Sequence, residues 1–505
     1  MIQLYDTIVS KLPGIQEAKT HLSFKSRLKW TGIILLLYLV LGQITLYGVD
    51  PEGVTRIQYL EMIMGASFGS LITLGIGPIV TASIILQLLV GSKIIPWDLK
   101  SPDGRKKFQG TQKLLTIIFC IFEAYAYVAF GAIRSSSADP GMMLILIGQI
   151  AFGGVLILMM DEVVSKWGIG SGVSLFIAAG VAKGIFVRTF NPITPLGGTM
   201  PAGIIPQVIA LFGTGNIFEA ITALLPLFAT LLVFLIVVYA QSIKVEIPLA
   251  FGSIRGFSRR WPLNLIYTSN IPVILTAALL ANFQLISSMV AAPTETGKCG
   301  FLGCFDEAGR ASSGIVYYLQ TPQGLSTQIF FLTLLAVIFA IGFLSFYFKY
   351  QGGSKLVWIA IALGFISAFL ITSSFGFPTF TDILRSISYL LFMVIGSVIF
   401  SVFWVATAGM DARSVSEQIE GMGMQIPGFR RDPRIVEQVL NRYIPSLAII
   451  SGVFIGLLAT MADFTNAVGT GTGILLTVMI IHNLYEQISM RYMEDMHPAL
   501  RKFFR

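Results

Sequence analysis

The sequence predicts an all-α protein that crosses a membrane many times. Three observations carry this. Of 505 residues, 55% are hydrophobic. Only 12% are charged, against about a quarter in soluble globular chains. The mean hydropathy is +0.79. No stretch is polar enough to form a separate soluble domain, which needs roughly 55–65 residues to fold alone. Everything outside the membrane is expected to be loops, tails and short helices.

Stretches near the ~20 apolar residues that a bilayer requires fall at 30–49, 71–92, 112–133, 141–160, 168–186, 218–241, 270–291, 328–349, 355–376, 384–408, 443–462 and 471–489, twelve in all. Residues 1–29 precede them as an amphipathic segment with five basic side chains and no small-residue cleavage pattern, so the first span is expected to stay in the protein. Lysines and arginines collect on the cytoplasmic side of membrane proteins. A cytoplasmic N-terminus leaves Arg56, Arg134, Lys183, Arg188, Lys298, Arg310 and Arg385 outside and the other 27 of the 34 basic residues inside. Both termini are then cytoplasmic, and the net charge of +8 needs no nucleic acid to explain it.

Between the first two spans, Val54 to Ser67 is apolar, with Ile57, Leu60, Met62, Ile63 and Met64, but too short to cross. It is either an interfacial helix or a segment folded back into a cavity. The second span then opens badly for a lipid anchor, with Gly75, Gly77 and Pro78 in its first turns. Such breaks survive at membrane depth only where protein or a water-filled cavity satisfies the freed backbone. Similar breaks, at Gly168–Gly172 and Gly469–Gly473, open two further spans. Beside them, Ile76 and Val80, and likewise Val173 and Ile177, are four apart and share a helix face. Each pair fits plain helix packing or a dry, narrow constriction.

In the third span, Glu123 is the one ionisable residue read as lying well inside a span, where a charge costs roughly 2.5–3.5 kcal/mol and calls for a polar partner. Thr81, Asn270 and Asn282 are the available types. Cys120 reads as a small core residue. Cys299 and Cys304 flank four residues of a polar loop, and a disulfide or two free thiols are both open.

Two cytoplasmic loops exceed what topology needs. In 242–269, Lys244 to Pro262 alternates like a hairpin with Arg255 at its tip and Arg259 and Arg260 on the return. In 409–442, Asp411 to Met422 is helix-like, Arg430 and Arg431 form a basic tip, and Asp432-Pro433 starts a helix carrying Arg434. Positive-inside bias alone accounts for such charge, but ordered turns presenting clustered arginines favour a phosphate-rich partner. The tail, 490–505, is again basic.

No phosphate-binding loop, no zinc-protease motif and no intramembrane aspartate pair is present, and His21, His482 and His497 have no ligand spacing. Neither an enzyme nor a cofactor or metal is expected.

The stretches Leu71–Thr81, Ser165–Gly172, Asn270–Leu275 and Gly471–Thr477 resemble SecY, in the archaeal branch similar to the eukaryotic alpha subunit, from about Phe24 onward. The resemblance implies a protein-conducting channel of ten helices in two inverted halves, here 30–241 and 270–489. It implies a pore ring of Ile76, Val80, Val173, Ile177, Ile274 and Leu476, a plug over 57–67, and a lateral-gate polar cluster of Thr81, Glu123 and Asn282. It implies ribosome docking at the tips around Arg255 and Arg430, gamma (SecE) and small beta subunits as partners, signal sequences and nascent polypeptides as clients, and a place in the cell membrane. The spans in 328–376 depart from that pattern as an added hairpin. All round apolar, it is expected outside the ten-helix clamp, facing lipid or a partner. The rival reading, a secondary transporter, also uses broken helices but needs a polar midplane site, whereas the six ring positions are aliphatic.

Overall fold

A computed structural model describes residues 14–496, apart from 51–66, 195–199, 252–257, 307–310, 338–375, 426–432 and gaps of three residues or fewer. Its long helices are α1 (Phe24–Leu41), α2 (Gly77–Gly91), α3 (Pro102–Ala129), α4 (Pro140–Trp167), α5 (Gly172–Phe190), α7 (Ile217–Ser242), α8 (Ile271–Val290), α11 (Phe380–Thr407), α13 (Pro433–Phe464) and α14 (Gly471–Met496). The short ones are α6 (Ile204–Gly213), α9 (Ile315–Tyr318), α10 (Leu325–Leu334) and α12 (Ala412–Gly421).

Ten of the twelve expected spans are therefore helices, with shifted ends. The first ends at Leu41 rather than 49, and the second and fifth start only after their glycine breaks. Each break holds one glycine in the left-handed region: Gly75 at φ +54°, Gly170 at +83° and Gly469 at +86°. A side chain with a Cβ strains there. The added pair at 328–376 lies largely outside the described residues. Its beginning, α10, is not isolated from the clamp: Ile329 is buried, Phe331 and Leu332 pack against the main core, and Phe331 lies against Phe464 of α13 with ring centroids 4.4 Å apart.

One correction concerns the helices. Glu123 is not the one charge inside a span, because α4 and α13 run past the apolar windows that ended at 160 and 462 and carry Asp161 and Asp463 within them. α7 packs on α6, α13 and α14.

Close approach sets the helix pairs. A methyl on Gly153 of α4 would sit 1.7 Å from the Leu71 carbonyl oxygen, and one on Gly154 would sit 2.7 Å from Cys120 Sγ of α3. In α13, Gly452 and Gly456 let the helix meet the backbone of α11 at Val398 and Val394, the small-residue contact that suits helices in lipid. Hydrogen bonds from Ser401 to Thr268 (3.1 Å) and between Thr268 and Ser451 (3.0 Å) join α11 and α13 to the approach to α8. α2 meets α8 and α11 along one seam between the halves, and α14 packs on α5 and α1.

Two sheets complete the fold. The expected cytoplasmic hairpin is β1 (Lys244–Phe251) with β2 (Ser258–Asn264). The four strands β3 (Ala292–Thr294), β4 (Gly297–Gly300), β5 (Gly303–Phe305) and β6 (Ala311–Gly314) form an antiparallel sheet in the loop after α8. That loop had been read only as polar. Cys299 and Cys304 are opposite each other in its β4–β5 register and are joined as a disulfide. β7 (Met424–Gln425), from the second basic loop, adds to the free edge of β1 through Ala250↔Gln425 and Phe251↔Met424. The two loops thus share one sheet, ordered β2-β1-β7.

Candidate pore constriction and lateral gate

The breaks place their following residues at one point. Tight turns from Ser70 to Ile76 bring the chain to α2, with Gly77 N donating to Leu74 O (3.1 Å) and Val80 N to Ile76 O (3.0 Å). Ile76 and Val80 from this start, Ile177 from α5, Ile274 from α8 and Leu476 from α14 enclose a cavity of about 20 Å³. That is room for roughly one water. Ile76, Val80, Ile177 and Leu476 are at most 5% exposed. The wall is completed by Gly77, Ala277, Ala278, Thr472 and Gly473, none of which was singled out for the ring beforehand. The small residues at 277 and 278 follow Ile274 by about one helical turn, and that spacing could have found them.

Val173, the sixth expected ring residue, is not on this wall. It packs against the same core, but it sits in the first turn of α5, one turn below Ile177.

Carboxylates satisfy the starts of the broken helices. Val173 N donates to Asp161 Oδ1 at 2.9 Å. Thr472 donates to Asp463 Oδ1 from N at 2.9 Å and from Oγ1 at 3.0 Å. The first amides of a helix lack intrahelical partners, and such a cap is worth about 1 kcal/mol.

Beside the cavity, the three residues of the expected gate cluster meet. Asn282 Nδ2 of α8 donates to Thr81 Oγ1 of α2 at 3.1 Å. Thr81 Oγ1 lies 3.2 Å from Glu123 Oε1 of α3 and 2.9 Å from Gly77 O, so its one proton is shared between two acceptors. Glu123 Oε2 is buried with no hydrogen-bond partner among the described residues. Asn270, also considered, lies outside the described residues. Further along the same pair of helices, Gln112 Nε2 of α3 donates to Ser83 Oγ of α2 at 2.6 Å.

The plug residues Ile57, Leu60, Met62, Ile63 and Met64 lie outside the described residues, but both flanks of that segment are pinned together. Thr45 bridges to Ser70, Leu46 N donates to Gly69 O and Leu71 N to Ile44 O, both at 2.9 Å. Of the docking arginines, Arg255, Arg430 and Arg431 lie outside the described residues, Arg259 and Arg260 are on β2, and Arg434 is exposed in the first turn of α13. Tyr267 hydroxyl donates to Met410 O at 2.7 Å beside the second loop. Burial, then the nearby Asp411 carboxylate, pushes its phenol up to about 12, so it stays a donor at neutral pH.

Aliphatic side chains converging from the starts of four helices on one narrow cavity, with a hydrogen-bonded seam alongside, are the geometry of a channel in a multi-pass membrane protein. The SecY family model matches residues 70–485, and a model described as the plug domain of Sec61p matches 36–69. The protein translocase subunit SecY of Methanothermobacter thermautotrophicus is 40% identical over 99% of this chain and 98% of its own. The corresponding subunit of Methanocaldococcus jannaschii is 40% identical over 98% of each chain. A solved structure described as a protein conducting channel superposes with a TM-score of 0.77 at 40% identity, covering 97% of this chain and 98% of the other. Sec61 in the canine ribosome-channel complex from the endoplasmic reticulum superposes with 0.74 at 39% identity, over the same shares of the two chains. The chain belongs to the SecY family: it is the protein-conducting channel of a Sec translocon, not an enzyme.

Proposed function

We propose that the cavity bounded by Ile76, Val80, Ile177, Ile274 and Leu476 is the resting seal of this channel, and that Asn282, Thr81 and Glu123 latch its lateral gate. The convergence of five aliphatic side chains on a void of about 20 Å³ carries the reading. A passage this narrow and apolar excludes ions by dewetting. A transporter would need a polar midplane site, and Thr472 is the one polar side chain on this wall.

A client chain enters from the cytoplasm, displaces the segment at 57–67, and either crosses or leaves sideways between α2 and α8. The flanks pinned at Thr45 and Ser70 let that segment swing from a fixed base. No nucleotide loop exists in the sequence, so a docked partner supplies the drive. The ribosome, gripping phosphate-seeking arginines at 255, 259, 260, 430, 431 and 434, fits that role, and strand pairing of the two loops supports a single docking face. Exposed apolar side chains such as Leu36 and Leu37 of α1 and Phe228 and Leu231 of α7 suit lipid and gamma- and beta-type subunits. The likeness to SecY subunits supports a place in the cell membrane, and the bias of basic residues supports a cytoplasmic location for both termini.

Planar-bilayer recording tests the seal. Replacing Ile76 and Ile274 together by Asn should wet the constriction and raise resting conductance; a resting conductance equal to the parent's removes the assignment.

A further inference from the structure

The two carboxylates that cap the broken helices stand in matching places. Asp161 holds the amide of Val173, and Ile177 of the cavity wall follows four residues later. Asp463 holds Thr472, and Leu476 of the wall again follows four residues later. Four residues is one helical turn on one face, so each carboxylate fixes the height at which a wall residue meets the cavity. Thr472 lines the cavity itself.

In the second half the carboxylate has a further partner. Tyr389 of α11 donates from its hydroxyl to Asp463 Oδ2 at 2.8 Å. α11 flanks the seam, packing on both α8 and α2. Tyr389 is 3% exposed, and its ring also lies against Phe464, centroids 5.8 Å apart. One carboxylate therefore touches a gate-side helix through one oxygen and a wall residue through the other.

We propose that Asp463 is a positioning residue that couples the lateral gate to the seal, a role that rests on reading the cavity as the resting constriction. When a client pushes α11 away from α2, Tyr389 moves with it, and the carboxylate draws the start of α14 along. Thr472 and Leu476 shift together because they share the first turns of one rigid helix. Gate opening and wetting of the constriction then occur as one event. Among the described residues the first half has the cap at Asp161 without a tyrosine from the gate side, so the transmission runs through the second half.

Tyr389→Phe is the sharpest variant, since it deletes one hydroxyl and keeps the ring packed on Phe464. The reconstituted channel is recorded in planar bilayers before and after a synthetic apolar signal peptide with a basic N-terminus, and the same peptide, carrying a photoreactive group, is crosslinked to the gate. Peptide-stimulated conductance should fall by about threefold to twentyfold, the range for one interhelical hydrogen bond in a membrane, while crosslinking stays at the parent level. Asp463→Asn should show the same split, and the double variant should be no worse than the single ones, because both break one bridge. Unchanged stimulation overturns the coupler. So does a parallel loss of crosslinking and conductance, which would mean that the bond builds the gate and transmits nothing. The Ile76→Asn, Ile274→Asn pair separates the two readings. A leak there with normal stimulation in Tyr389→Phe removes the coupler alone; no leak there removes the seal and the coupler with it.

Discussion

Asn282 and Thr81 are 201 residues apart, one in each half of the channel, and are joined by a single hydrogen bond of 3.1 Å across the seam. The bond is the polar contact through which α8 reaches α2, and Thr81 passes it on to Glu123. An interhelical hydrogen bond in a membrane averages about 0.6 kcal/mol, close to threefold in an equilibrium. On the proposed latch role, a seam held so lightly should open for a moderately apolar segment. Asn282→Leu should accordingly shift the hydrophobicity at which a model segment inserts sideways rather than crossing. An unchanged insertion threshold across a graded series of segments would reduce the cluster to packing.

The Gly153–Leu71 approach makes a sharper demand. Gly153→Ala would drive a methyl into the Leu71 carbonyl, and overpacking typically costs about 1–3 kcal/mol. The turns that deliver Ile76 must then move. A lowered melting temperature together with raised resting conductance is expected, whereas Gly148→Ala, with open space around it, should leave both unaltered.

Thiol counting tests the β3–β6 sheet. The chain has three cysteines, and Cys120 is the buried free one. Denatured without reductant, each chain should take up one maleimide; denatured with reductant, it should take up three. Closing so short a loop is worth about 2 kcal/mol on the chain-entropy scale, so replacing Cys299 and Cys304 by Ser should loosen 292–314 to proteolysis. Uptake of three maleimides without reductant would remove the bridge.

Charge reversal at Arg255 and Arg430 should lower ribosome affinity. Each lost phosphate contact makes the fall of log affinity with log salt shallower by about one, so the defect is largest at low salt. A double variant whose salt titration overlays the parent's would point to a different docking face.

The broken spans were legible because glycine and proline are conspicuous in an apolar run, and Thr81 and Asn282 as candidate partners of Glu123 because charge in lipid demands partners. Asp161 and Asp463 escaped because apolar windows were cut where polarity began, at 160 and 462, although the helices continue while their own backbone bonds are satisfied. Val173 was grouped with Ile177 by shared face, yet one face extends over several turns while the constriction occupies one level. β7 is two residues long with no periodicity to read, and its pairing with β1 is set by distant chain connectivity. The β3–β6 strands are too short and too rich in glycine to register as strands.

Strand order in the β2-β1-β7 sheet has a bearing on how the channel is itself made. β1 and β2 are synthesised as neighbours, but the strand that covers the free edge of β1 begins at Met424, about 170 residues after Phe251. At the ~5–20 residues per second of translation, that edge waits roughly 10 to 35 s. An uncovered edge is a template for pairing with any extended chain nearby, and the nearest one is the polypeptide still emerging. On the proposed docking role, a half-made copy offers an incomplete arginine face to the very machine that is building it, and presents the finished face only when its last two long helices remain to be inserted.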